Sequence, residues 1–207
     1  GLFMAGKNRG FTLIEILVVI TIIAALMGLG IAIMGKANRT KEATQTSNTI
    51  MAVVAALETL KSPSLLGEYP PADTNMLRGL KGEPVGKQVG ATNDTNMGIE
   101  TVYVALFLSG HDVALDLDMD KVLGNTDDDK MSGNPTRSES PELYEFVDAW
   151  GNPLAYFSAR DLKKAETVNK YVNAIGEGVT PKPWMSEKTK LPVSAQKYQL
   201  FSAGEDG

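Results

Sequence analysis

The chain has 207 residues, enough for one domain and an appendage, and no cysteine, which excludes disulfide staples, thiolate zinc sites and cysteine nucleophiles. With a net charge of −5 and a pI near 5.0 it has no basic excess, so nucleic acid is not the expected partner. Hydrophobicity is concentrated before residue 35, and the remainder is polar and rich in Gly, Pro, Asn and Asp.

Residue 1 is Gly, and Met4 is read as the start of translation. From Met4 to Gly10 the chain is short, polar and basic, carrying Lys7 and Arg9. Phe11 to Met34 then reads FTLIEILVVITIIAALMGLGIAIM, long enough to cross a bilayer as a helix. It is too long for the apolar region of a signal peptide, and no small-residue cleavage site follows it. A plain single-pass anchor is the competing reading. Glu15, the one charge in the run, argues against it. A carboxylate in hydrocarbon costs about 2.5–3.5 kcal/mol and needs a partner. No Lys or Arg lies within a turn or two, but a new amino terminus at Phe11, on the same chain or a neighbour, would supply one.

Gly10-Phe11-Thr12-Leu13-Ile14-Glu15 resembles the processing motif of type IV prepilins and pseudopilins. The resemblance implies that a membrane prepilin peptidase cuts after Gly10 and N-methylates Phe11, and that Glu15 guides subunit docking. It also implies an orientation that flanking charge does not decide, since Lys7 and Arg9 face Lys36, Arg39 and Lys41 across the run. The leader would be cytoplasmic, with a single pass through the inner membrane and the head in the periplasm or outside. Relatives often carry Pro near a position that is Ala32 here. Gly30 to Lys36 has the spacing of a phosphate-binding loop, but Ala37 follows where Ser or Thr would hold magnesium, and the segment reads as helix. Gly28, Gly30 and Gly35 are read as helix-weakening or close-approach positions.

In residues 38–61, Ile50, Val53, Val54, Leu57 and Leu60 fall at helical spacing, and Pro63 ends the pattern. One helix is therefore predicted from Phe11 to about Leu60, on the order of 75 Å long, its second half packing an apolar stripe on a head. The expected organisation is a leader (1–10), a transmembrane and filament-core helix (11–35), an amphipathic helix (36–61) and a globular head (62–207).

Residues 62–100 carry turn signals: Tyr69-Pro70-Pro71, Gly82-Glu83-Pro84 and Asn93 to Asn96. Ile99 to Leu108 is predicted helical. In the acidic stretch 112–130, Asp116, Asp118 and Asp120 alternate like the opening of a calcium loop. Lys121 replaces the required Gly, and Asp127 stands where the closing Glu belongs. A solvated loop is expected, with a looser calcium site through Asp127, Asp128 or Asp129 left open. His111, the sole histidine, is expected in a surface loop. With no Gly-x-Ser-x-Gly motif and no histidine pair, the chain is not expected to be an enzyme.

Asp148-Ala149-Trp150-Gly151-Asn152-Pro153 reads as a turn, Leu154 to Phe157 as a strand, and Lys197 to Ser202 as a second strand. Between them lies an insertion, roughly 160–195. Ser202 to Gly207 reads like the middle of a loop, as the end of a fragment would. This arrangement is similar to the head of the major (G-type) pseudopilin of type II secretion. The resemblance implies an α+β type IV pilin fold and a calcium ion held by Asp206 and the Ala203 carbonyl, with further ligands beyond Gly207. It implies a self-assembling helical homopolymer whose partners are minor pseudopilins, the prepilin peptidase and the inner-membrane assembly platform. A pilin of a surface pilus serving adhesion, motility or DNA uptake is the alternative. The lack of a C-terminal cysteine pair and the Trp-Gly-Asn-Pro turn favour the pseudopilus.

Overall fold

A computed structural model describes residues 12–90, 93–111, 113–132, 140–163 and 170–207, with the backbone alone for 29–34 and 87–88. The chain forms two compact units, residues 1–41 and 42–207. The first helix, α1 (Leu13–Leu60), runs through both.

In the first unit, α1 opens on a reciprocal cap. The Glu15 amide donates to Thr12 Oγ1 at 3.3 Å, and the Thr12 amide donates to Glu15 Oε2 at 2.7 Å. The large apolar side chains that follow are exposed on every side of the helix, from 45% at Ile23 to 84% at Leu13. Helix continues without a break through Gly28, Gly30 and Gly35, so the residues spaced like a phosphate-binding loop are helical, as expected. Among the described residues, no helix is long and apolar enough to cross a membrane.

In the second unit, the predicted stripe packs in part, with Ile50 half-buried against the core and Val54 half-buried outside it. Val53, Leu57 and Leu60 are fully buried, joined by Ala56, and the buried face continues back through Thr46 and Thr49. Threonine escaped a reading based on apolar spacing. Thr49 satisfies its hydroxyl on the Gln45 carbonyl at 3.1 Å, which lets it enter the packed face. The helix stops at Leu60, whose carbonyl accepts from Leu66 and Gly67, with Gly67 at φ +77° and Pro63 just past the end.

The stripe belongs to a core shared with α3 (Met97–Tyr103), which continues as a wider π turn through Leu108. The predicted helix at 99–108 is therefore present. Its burial is broader than one face, since Glu100 and Thr101 are fully buried beside Ile99 and Val102. Two short helices, α2 (Gly86–Val89) and α4 (Met119–Val122), sit in the loop-rich stretches.

Among the described residues, the strands pair as three antiparallel two-stranded pieces. These are β1 (Leu123–Gly124) with β2 (Glu145–Phe146), β3 (Ala155–Ser158) with β6 (Tyr198–Phe201), and β4 (Tyr171–Val172) with β5 (Gly178–Val179). The strands predicted at 154–157 and 197–202 are thus found, paired with each other. The 160–195 insertion contributes the β4–β5 hairpin. Side chains on β3 alternate, Tyr156 entering the main core while Ala155 and Phe157 enter a second cluster with Leu162 and Tyr171. Strand β3 is consequently buried on both faces. The whole is α+β, an N-terminal helix followed by small antiparallel sheets, and is compatible with the pilin fold.

Candidate functional site

Gly10 and Phe11, expected to carry processing, lie outside the described residues. Glu15 is described, and it has partners within its own chain: Oε2 accepts from the Thr12 hydroxyl at 2.8 Å as well as from the Thr12 amide. The sequence Thr-x-x-Glu before an apolar run is a capping box, a signal legible in the sequence. Through it Glu15 has partners on its own chain that need no positive charge close by. One oxygen of the carboxylate is engaged by the cap, and the group stays at the exposed first turn of α1.

At the other end of the chain, the Asp148 turn does more than reverse direction. Asp148 Oδ1 accepts from the amides of Trp150 at 3.0 Å and Asn152 at 2.9 Å, and Oδ2 accepts from the Ser202 hydroxyl at 2.6 Å. Gly151 takes φ +86°, a conformation costly for any residue with a Cβ. Asn152 Nδ2 donates to the Gly204 carbonyl at 2.8 Å, and its Oδ1 accepts from the Ala174 amide at 3.0 Å. The Ala149 amide donates to Thr46 Oγ1 on α1 at 3.0 Å. One turn therefore ties together α1, the β4–β5 hairpin and the carboxyl loop. That loop presents Ala203 and Asp206 exposed, Asp206 in a turn next to Gly207. Neither belongs to the cluster of potential metal-binding groups found among the described residues.

That cluster lies elsewhere in the head. Carboxylate oxygens of Glu100 (α3), Asp127 (loop after β1) and Glu145 (β2) lie within 4.8 Å of one another. Glu100 and Glu145 are fully buried. Glu145 is held in place, accepting from the Thr126 amide and from Asn96 Nδ2, each at 2.8 Å. Asn96 itself adopts φ +50°, and its Oδ1 accepts from the Val172 amide at 3.1 Å. Both oxygens of Glu100, and both of Asp127, are buried without a hydrogen-bond partner. The surrounding charge is negative. Burial, then the carboxylates of Asp129, Asp127 and Glu145, push Glu100 up to about 11. Burial pushes Glu145 up to about 7, against the opposing hydrogen bonds from Thr126 and Asn96. Burial and Asp127 raise Asp129 to about 6.

Residues 6–31 match the family model of the prokaryotic N-terminal methylation motif. The chain is type IV pilin-like at its N-terminus. No curated protein and no solved structure matches it. The motif implies processing by a prepilin peptidase, membrane anchoring and assembly into filaments, and it is that of a structural subunit.

In this pilin-like chain the EF-hand reading of the acidic stretch fails on geometry as well as spacing. Asp120 and Lys121 fall within the short helix α4, not in a ligand loop. Of the looser alternatives, Asp127 joins the cluster, while Asp128 is the left-handed residue of the loop at φ +55°. His111 corrects its expectation. It lies in an irregular segment but is only 5% exposed, with Nε2 3.4 Å from the Arg78 carbonyl, so it is a packed residue and not a surface one. Sequence reasoning missed Glu100 and Glu145 because each sits inside a run of buried apolar residues. A carboxylate interrupting such a run was the available signal.

Proposed function

We propose that this chain is a structural subunit of a type II secretion pseudopilus, or of a closely related type IV pilus-like filament, cut after Gly10, methylated on Phe11 and polymerised through α1. The observation that carries this reading is the first unit of α1, whose large apolar side chains are exposed around the whole helix behind a methylation motif. Such a surface needs hydrocarbon or neighbouring helices to cover it. Residues 11–35 would first anchor the subunit in the inner membrane, with the head in the periplasm, and then form the filament core. The contact between subunits is heterologous and open, which is how helical polymers grow. The assembly platform, the peptidase and minor pseudopilins would be its partners. The Trp150-Gly151-Asn152-Pro153 turn supports the pseudopilus over a surface pilus, the second reading.

The capping box sharpens the test. Glutamine at position 15 keeps a side-chain acceptor for the Thr12 amide but carries no charge, whereas alanine removes both. If the charge docks on a neighbour's amino terminus, Glu15→Gln and Glu15→Ala insert normally and both lose filaments in an assembly assay. Filaments from Glu15→Gln at wild-type yield would show that Glu15 serves the helix cap alone and would overturn its assembly role.

A further inference from the structure

We infer that Glu100, Asp127 and Glu145 form a calcium site inside the head, built from α3, β2 and the loop after β1. The cluster does not rest on acidity alone. Glu100 is fully buried, brings a carboxylate oxygen within 4.8 Å of one from each of the other two residues, and has no hydrogen-bond partner on either oxygen. Native interiors pair nearly all such atoms, and an unpaired carboxylate is among the costliest groups to bury. Among the described residues, the charged groups that act most on Glu100 are carboxylates, Asp129, Asp127 and Glu145. Lys170 pairs with Asp94 at 2.7 Å and Lys130 with Glu142 at 3.6 Å. A bound cation would give the Glu100 oxygens the partner that no described side chain supplies.

The chemistry of the donor set selects its class. All donors are carboxylate oxygens, which suit hard ions, and no nitrogen or sulfur ligand belongs to the group. Calcium holds its oxygen ligands at about 2.3–2.6 Å, so two ligands on opposite sides of one ion stand about 4.6–5.2 Å apart. Oxygens confined within 4.8 Å of one another fit that shell. Magnesium binds at about 2.0–2.1 Å and keeps several waters, which a largely buried three-carboxylate cage does not favour. Glu145 is already aimed by Thr126 and Asn96, as a ligand with a supporting shell would be. Because the three residues come from distant parts of the head sequence, the ion would join α3 to β2 and the β1 loop in a chain without disulfides.

The test uses the full chain in detergent, stripped with EDTA. Calcium at a hundred-fold excess over its dissociation constant is expected to raise the melting temperature by about 5–10 °C, with magnesium giving a much smaller shift. Titration calorimetry should show the binding event. Glu100→Gln and Asp127→Asn should each abolish the shift. Glu100→Gln keeps the size of the side chain, and in EDTA the Glu100 carboxyl it replaces is held neutral by its surroundings, so without calcium the variant should melt no lower than wild type, which separates lost binding from lost folding. A wild-type chain indifferent to calcium would overturn the proposal, the carboxylates then being held neutral by protons. A calcium shift that survives Glu100→Gln and Asp127→Asn but vanishes in Asp206→Asn would overturn it too, placing the ion at the carboxyl loop. Magnesium matching calcium would overturn the choice of ion.

Discussion

Asp148 engages two backbone amides of its own turn and the hydroxyl of Ser202, in a setting where the residue is 2% exposed. Hydrogen bonds to a charged acceptor contribute about 1.5–3 kcal/mol each, and the donors left behind would be buried. Asp148→Ala should therefore lower stability by about 3 kcal/mol or more, a melting shift of roughly 6–12 °C for a chain this size. Ser202→Ala removes one partner and should cost a fraction of that, so thermal unfolding of the pair checks the network. The turn was legible, because Gly-Asn-Pro dictates one. The network was not. It depends on Ser202 and Gly204 lying beside residues about fifty positions earlier, and nothing local encodes that. Glu15 shows the reverse: its partner Thr12 stands three residues away, and the spacing alone carries the cap.

Among the elements, the second half of α1 and the helix α3 carry the head's packing. Leu57 is fully buried in the main core while Met51, on the same helix, is 58% exposed. Leu57→Ala should cost about 2–5 kcal/mol and Met51→Ala under about 0.5, which denaturant titration of the full chain in detergent would resolve. Gly98 makes a different demand. A Cβ there would sit 2.6 Å from the Tyr156 carbonyl oxygen on β3, so Gly98→Ala must push α3 away from the strand. A loss of about 1–3 kcal/mol is expected, and an unchanged midpoint would show that the contact is looser than drawn. Periodicity reported the second half of α1 and α3, where apolar residues recur at helical spacing, while β3 and β6 were read from strand-prone residues beside turn signals. The two-residue strands β1, β2, β4 and β5 are too short to carry a period. Burial of Glu100 was hidden for a different reason: α3 is buried nearly all round, and a one-face template places its polar positions in solvent.

For the whole molecule, the two ends of the chain answer different questions. The head, residues 42–207, is stabilised by its own core and, on the calcium proposal, by an ion. In residues 13–27 of α1, the described apolar side chains form an exposed surface. Such a surface gains stability only in hydrocarbon or against copies of itself, and the methylation motif at residues 6–31 supplies the route from one to the other. The most direct test of this account is intact and N-terminal peptide mass spectrometry on protein purified from its native membrane. The account predicts a chain beginning at Phe11 and bearing an N-methyl group. A chain retaining Lys7 and Arg9 would contradict it, leaving an ordinary anchor and returning the question of function to the head.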